Sequence, residues 1–318
     1  MEWAQSLRKM KKLGAKHLVP SHTRPVSGED FINHLFTVYI AGIEYIHDQS
    51  VRYINHRLHP EDIARKVRLP PELASHRYWQ EFYGTPAWSA KGVYERYLGW
   101  FSGDPVDLAP FPPFEKAEHM IDLVGVKGLI SGARAALNRG DHQWCLELSS
   151  YVFRVHPDNL LAKELRLTAL KTLASQQKNP LARNFYLTAA LNDHGLVSWK
   201  VDLKSTVQRS SARMLFEYMK VRLIAEKVQG INASFCFNYT DTQELFHLEI
   251  QFSVLHIYQV FSFTLCDVTL TTMLSTWKDV LNNPMSAVQV LLTGKLKISG
   301  SLLALWNFVS YFEPAPVD

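Results

Sequence analysis

His22 lies in the stretch LVPSHTRPVSG, residues 18–28, where a short apolar run ends at Pro20 and a Ser-His pair precedes Pro25 and Gly28. An imidazole at such a strand-to-loop junction is a candidate metal ligand. One imidazole does not hold zinc, because stable zinc sites use three or four protein ligands. Further His and Asp residues occur in HDQ (47–49), HPED (59–62) and GDHQW (140–144), but not at a spacing that lets one loop gather several ligands around an ion. Within this chain alone His22 therefore reads as a hydrogen-bonded loop histidine. The three cysteines, Cys145, Cys236 and Cys266, are odd in number and form no CxxC or CxH pair. They predict neither a disulfide framework nor a thiolate zinc site, and they fit a reducing compartment. Two sequons, Asn232-Ala-Ser and Asn238-Tyr-Thr, point the other way, but such triplets are frequent by chance.

The totals narrow the field. With 318 residues there is room for two domains or slightly more. Apolar residues make up 47%, as in ordinary globular proteins. A formal net charge of +4 is too mild to argue for nucleic acid or an anionic membrane surface. No run of about 18 apolar residues occurs, so no membrane span is expected. The opening MEWAQSLRKMKKLG lacks the apolar core of a signal peptide, which leaves the cytoplasm as the default compartment.

The elements that must position these residues fall into three textures. Trp3, Leu7, Met10 and Leu13 recur at helical spacing, and Gly14 ends that helix. Lys16 to Pro20 reads as a strand that needs a partner which nothing upstream supplies. This places Met1 inside a domain whose other strands are absent. From Asp30 to about Asn192 the period is 3.6: Phe31 to Ile54 form one long helix or two, Pro60 opens another, and a proline-rich connector (104–113) leads into the next. Stripes of Leu129, Ala133 and Ala136, then Trp144, Leu148 and Val152, then Leu161, Leu165 and Ala169, are separated by Gly140-Asp141 and Pro157-Asp158-Asn159. They predict antiparallel helix packing of the tetratricopeptide kind, with the stripes as core. After Asn192, SFCFNY and LFHLEIQF flank the turn TDTQ as a hairpin. Phe246, Leu248, Ile250 and Phe252 are expected on one face of it. Residues 257–265 and 268–270 also alternate; two helices, a strand GKLKISG and a helix SLLALWNFV follow. The expected fold is mainly α and then α+β, with a helix-covered antiparallel sheet at the end. No paired carboxylates and no Ser/His/Asp cluster stand out there.

The stretch FYGTPAWSAKGVYERYLGWFSGDPVDLAPFPP (82–113) resembles the alkyl sulfatases of the metallo-β-lactamase superfamily, as do GARAALNRGDHQWCLELSSYVFRVHPDN and RNFYLTAA. LLTGKLKISGSLLALWNFVSYFEP resembles the sterol-carrier-protein-like domain that ends these enzymes. The resemblance covers nearly the whole chain and matches the C-terminal half of such an enzyme. It implies two zinc ions and hydrolysis of primary alkyl sulfates by metal-activated water. It implies that His22 is one zinc ligand, the others coming from an HxHxDH loop and two glutamates N-terminal to it. No HxHxDH occurs here. Where the family has a His-Asn pair this chain has Trp88 and Ser89, and where it often has a Tyr this chain has Phe101. A departing sulfate group benefits from a nearby donor or acid. Trp offers one N–H and no titratable proton, and Phe offers neither. Lys91 and Arg96 remain as cations that could meet an anion or serve in salt bridges.

The resulting expectation is a three-part chain. Residues 1–40 are the end of a metallo-β-lactamase domain, 41–192 a helical dimerisation domain, and 193–318 a sterol-carrier-like α+β domain. Family resemblance implies a homodimer and an alkyl-chain amphiphile as ligand. The first functional reading is the C-terminal part of a zinc-dependent alkyl sulfatase, with no stably bound zinc and no activity of its own. The alternative is a non-catalytic, dimerising amphiphile-binding protein. Tyr94, Tyr97 and Trp100 read as core or dimer-interface residues; so do Trp306 and Phe308, with the lining of a lipid tunnel as their alternative.

Overall fold

The computed structural model describes residues 1–197, 202–262, 265–283 and 286–313. The chain divides into two compact units, Met1–Ser198 and Trp199–Asp318.

The first unit begins with α1 (Glu2–Lys11), followed by β1 (His17–Leu18), β2 (Val26–Ser27) and α2 (Glu29–Asn55). The strand read at 16–20 does have a partner within the chain: His17 pairs with Ser27 and Leu18 with Val26, antiparallel. The Pro-rich loop between them folds the chain back on itself, so an upstream strand is not needed to account for it. α2 is one continuous helix and passes through residues 40 and 41 without a break. Its face of Ile32, Phe36 and Ile40 packs on Ala4 and Leu7 of α1.

Then come α3 (Pro60–Lys66), α4 (Pro71–Ala74) and α5 (Pro86–Leu98), each with a proline in its first turn, where the missing N–H costs nothing. α6 (Pro113–Asn138), α7 (His142–Val155), α8 (Leu160–Ser175) and α9 (Pro180–Asp193) follow. Asp141, Asn159 and Asn179 cap the last three through their side chains, so the residues that break the apolar stripes are also the ones that start the next helix. Leu129, Ala133, Cys145, Leu148, Val152, Ala162 and Leu165 form one buried cluster. Arg166 of α8 bonds Asp193 of α9 at 2.9 Å, reaches Ser150 of α7, and lies over the Phe153 ring. α6 is bent at Gly125, whose φ of 76° no regular helix accommodates.

The second unit opens with α10 (Leu203–Arg209) and α11 (Ala212–Lys220). It continues through β3 (Ala233–Tyr239), β4 (Glu244–Gln251), β5 (Val254–Val260) and β6 (Val268–Thr272). α12 (Leu274–Asn282), α13 (Ser286–Leu292), β7 (Leu296–Gly300) and α14 (Leu302–Ser310) complete it. The five-stranded sheet has the order β5-β4-β3-β6-β7. It is mixed, not antiparallel throughout: β6 runs parallel to β3, pairing Phe235 with Val268 and Tyr239 with Thr272. The antiparallel sheet expected from the sequence is corrected here: alternation identifies a strand and its inner face but carries no strand direction, so it could not reveal the parallel pair. Phe235, Phe237, Tyr239, Phe246, Leu248 and Ile250 are fully buried from the sheet, and Phe216 and Phe308 meet them from the helices. Each such side chain contributes roughly 1.5–3 kcal/mol on burial.

Three further sequence expectations need correction. Phe252 is not on the inner face: with Ser253 it forms the hairpin turn after β4, both residues at positive φ (51° and 60°), and its side chain is exposed. The alternation at 257–265 belongs to a strand that begins at Val254 and ends at Val260; residues 263 and 264 lie outside the described residues. Cys236 and Cys266 form a disulfide, which their spacing in the chain did not suggest. Strand β6 brings the segment before it back beside β3, and this long-range return is what juxtaposes the two sulfurs.

Candidate functional site

Gly28, at φ 105°, donates its N–H to Lys16 and turns the chain from β2 into α2, while His17 and Ser27 side chains meet at 2.8 Å across the ladder. This leaves His22 at the exposed tip of the loop. Its ring stacks on Tyr83, with centroids 6.1 Å apart and planes at 27°. The Ser-His loop and the Phe-Tyr-Gly-Thr motif therefore meet, although the chain separates them widely.

The motif is anchored from below. Buried Asn179, the α9 cap, donates its side-chain N–H to the Tyr83 carbonyl at 2.7 Å. Thr85 Oγ1 accepts from the Trp88 N–H at 3.1 Å and caps α5. Trp88 sits in the first turn of α5 and is exposed. Phe101 lies just past the end of α5; its carbonyl accepts the Tyr94 hydroxyl at 3.1 Å and its ring tilts against Trp100. Among the described residues the ring contact of His22 is with Tyr83, not with Trp88 or Phe101. Lys91 is engaged in an ion pair with Glu61 at 2.6 Å, and Arg96 is exposed. Tyr94 is buried as expected, but Tyr97 and Trp100 are exposed; likewise Phe308 is buried and Trp306 exposed.

Below α5, Asp107 accepts from Ser102 Oγ at 2.6 Å and from His59 Nε2 at 3.1 Å. His59 Nδ1 accepts the Glu61 N–H, which fixes the ring proton on Nε2 as the one given to Asp107. The hydrogen bond from Ser102, then that from His59, holds the Asp107 carboxyl below its usual range. A serine nucleophile needs the imidazole between hydroxyl and carboxylate. Here the carboxylate is in the middle, so the hydroxyl is not activated and the network's effect is to fasten the 101–107 loop to the start of α3.

A second cluster escaped the sequence reading. His47 meets Asp48 through Nδ1 and the Tyr97 hydroxyl through Nε2, each at 2.8 Å. It borders a hollow of about 410 Å³ along one face of α2 that also includes Arg52 and His56. The neighbouring Asp48 was visible in sequence, but Tyr97 comes from α5, and only the packing of α2 on α5 joins them.

No group of three His, Cys, Asp or Glu side chains that could hold a metal ion occurs among the described residues. His22 offers one imidazole, so the described residues do not by themselves fit a zinc centre. No helix among the described residues is long and apolar enough to cross a membrane.

Residues 59–195 match the family model for alkyl sulfatase dimerisation, and residues 201–318 match that for the alkyl sulfatase C-terminal domain. A linear primary-alkylsulfatase of Pseudomonas sp. (strain ATCC 19151) is 33% identical over 99% of this chain and 62% of its own length. The alkyl/aryl-sulfatase BDS1 of Saccharomyces cerevisiae is 28% identical over 93% of this chain and 46% of its own. The chain thus spans less than two thirds of either relative. The solved structure of the stereoselective inverting sec-alkylsulfatase Pisa1 from Pseudomonas sp. has the same fold, with a TM-score of 0.88 over 98% of this chain and 50% of that one, at 24% identity. The chain belongs to the alkyl sulfatase family, carrying its dimerisation and C-terminal domains and corresponding to its C-terminal part.

Proposed function

We propose that this chain supplies the dimerising and amphiphile-handling part of a zinc-dependent hydrolase of linear primary alkyl sulfates, and that by itself it has no complete active site. The observation that carries the reading is the match of both family domains, in order, from residue 59 to the end. In this reading residues 1–40 close the metal-binding domain, 41–192 pair with a second copy, and 193–318 form a sterol-carrier-like unit for the alkyl chain. His22 contributes one zinc ligand, held in place by its stacking on Tyr83. Trp88 and Phe101 stand where the family pattern has His and Tyr, so protonation of the leaving oxygen has no titratable group at either position.

Those two positions also favour a second reading, a non-catalytic homodimer that binds an alkyl amphiphile. One experiment separates the two. Zinc content of the purified chain is measured by elemental analysis, and sulfate release from dodecyl sulfate is assayed on the same sample. The expected result is far less than one zinc per chain and no turnover. About two zinc ions per chain with steady sulfate release overturns the claim of an incomplete site.

A further inference from the structure

The second half of α2 and the end of α5 bring together a hydroxyl, an imidazole and a carboxylate in an order that differs from that at Asp107. His47 Nδ1 meets Asp48 Oδ1, and His47 Nε2 meets the Tyr97 hydroxyl, each at 2.8 Å. Their neighbours explain the meeting. Ile46 of α2 shares one buried cluster with Ala90 and Tyr94 of α5, and Ile63 and Val67 complete it. Tyr97 follows Tyr94 by one helical turn and so lies on the same face. Its ring reaches that of His47, with centroids 5.7 Å apart. The His47 side chain is 17% exposed and that of Asp48 63%, while Tyr97 is 57% exposed. The imidazole is therefore held by packing, and the phenol stays within reach of a solute.

The direction of the hydrogen bonds follows from the groups. A carboxylate only accepts, so the neutral imidazole carries its proton on Nδ1 and gives it to Asp48. Nε2 is then the acceptor and the Tyr97 hydroxyl the donor. A nucleophilic hydroxyl is activated in this arrangement, with the imidazole between it and the carboxylate. His47 also borders the hollow of about 410 Å³ on α2, together with Val51, Arg52, Asn55 and His56. Small-molecule sites commonly measure about 300–1,000 Å³. Arg52 is held at its rim, with its guanidinium 5.2 Å from the centre of the Tyr53 ring and Nη1 donating to Gln49 at 3.2 Å.

We propose that Tyr97 is the nucleophile of an esterolytic site for small activated carboxylic esters, with His47 as its general base and Asp48 as the residue that positions the imidazole. The Tyr97 oxygen forms a bond to the acyl carbon while its proton passes to His47 Nε2. The ester C–O bond then breaks, and the leaving phenolate or alkoxide departs, taking that proton where it is basic enough. Water, deprotonated by His47, attacks the acyl-tyrosine, which is itself an aryl ester; the carboxylic acid leaves and the phenol is restored. Arg52 supplies positive charge beside the oxyanion formed in each step. The site stands apart from the alkyl sulfate reading, since it uses none of His22, Trp88 or Phe101.

The test treats the full chain with p-nitrophenyl acetate, follows p-nitrophenolate release, and locates the acetyl groups by peptide mass spectrometry. The expected result is a burst of about one equivalent per chain followed by slower steady release, with acetyl on Tyr97 during the burst. Tyr83 is more exposed, at 71%, and controls for exposure alone; its acetylation is expected to be slower. Tyr97→Phe abolishes the burst. His47→Gln slows acetylation of Tyr97 about a hundredfold, within the usual effect of a positioned general base. Asp48→Asn slows it as well, and because that side chain is mostly exposed it decides the question where His47→Gln fails to fold. Acetylation of Tyr97 no faster than that of Tyr83 overturns the site. So does a burst that survives Tyr97→Phe, or one whose rate is unchanged by the folded His47 and Asp48 variants.

Discussion

At the scale of single residues, Gly42 sets two effects against each other. It lies inside α2, where alanine is favoured over glycine by about 1 kcal/mol. A Cβ there, however, stands 2.2 Å from Cε2 and Cζ2 of Trp79. The indole has no easy retreat, since it donates to the Val38 carbonyl at 3.0 Å and stacks on Tyr39 at 4.9 Å. Steric displacement in a packed contact costs roughly 1–3 kcal/mol and outweighs propensity. Gly42→Ala is therefore expected to lower the urea midpoint, while Gly92→Ala, on α5 with nothing within 4 Å of its Cβ, raises it. Equal effects at the two sites refute the steric argument. Asp107 carries a pH dependence. Its carboxyl is depressed below 3.8 in the folded chain, so the charged form is the one that folding favours. Its contribution is complete above the unfolded value and disappears as pH falls through the lower folded one. Asp107→Asn is thus expected to lower the unfolding midpoint at pH 7 and to converge on the unsubstituted protein as pH falls through the depressed folded value. A gap that stays constant with pH shows that Asp107 acts through packing alone.

At the scale of elements, the Cys236–Cys266 disulfide closes a separation of 30 residues that contains the second half of β3 and all of β4 and β5. It is reinforced by Asp267, which accepts from the Ser234 N–H at 2.7 Å and from its hydroxyl at 2.9 Å. On the chain-entropy account a loop of this length contributes about 3–4 kcal/mol. Reduction, or Cys266→Ser, is expected to lower the thermal transition of the C-terminal unit, while Cys145→Ser leaves that transition in place. An unchanged transition under reductant shows that the strand ladder alone holds the crossing. This element also marks the limit of what the sequence made legible. Helix starts were readable because Pro60, Asp141 and Asn159 are local signals that need no tertiary context. The inner face of β4 was readable from strict alternation, as far as Ile250. The turn at Phe252-Ser253 was not, because neither residue is one of the Asn or Gly types that normally mark positive φ in a two-residue hairpin. The disulfide, the parallel β3–β6 pair and the His22–Tyr83 stack share one cause: each is made by a distant return of the chain. Spacing along the sequence encodes none of them. Family resemblance accordingly named candidate residues one by one, while which of them meet in space was not encoded in their spacing.

At the scale of the whole molecule, the question is what covers the apolar surface of the first unit. Leu98, Trp100, Val106, Leu108, Phe111 and Phe114 are all more than half exposed, within a stretch that lies inside the matched dimerisation domain. Single exposed apolar side chains are ordinary, but this many along one segment mark an interaction surface. A second copy is the occupant that the dimerisation family model favours, and aromatic anchors such as Trp100 and Phe111 are the residues that commonly dominate such interfaces. The chain mass is 36.4 kDa, so sedimentation equilibrium at micromolar concentration is expected to return twice that value. Trp100→Glu places an unpaired charge in the seam and is expected to weaken association by about 2 kcal/mol or more, roughly thirtyfold. It should leave the helical circular dichroism unchanged, because the ring packs on Phe101 at the end of α5 and not in a buried cluster. A monomeric parent chain removes the dimer from the proposed function. A dimer indifferent to Trp100→Glu moves the seam away from the 98–114 segment, and the exposed face of α9, with Phe185 at 83% exposure, becomes the next surface to substitute.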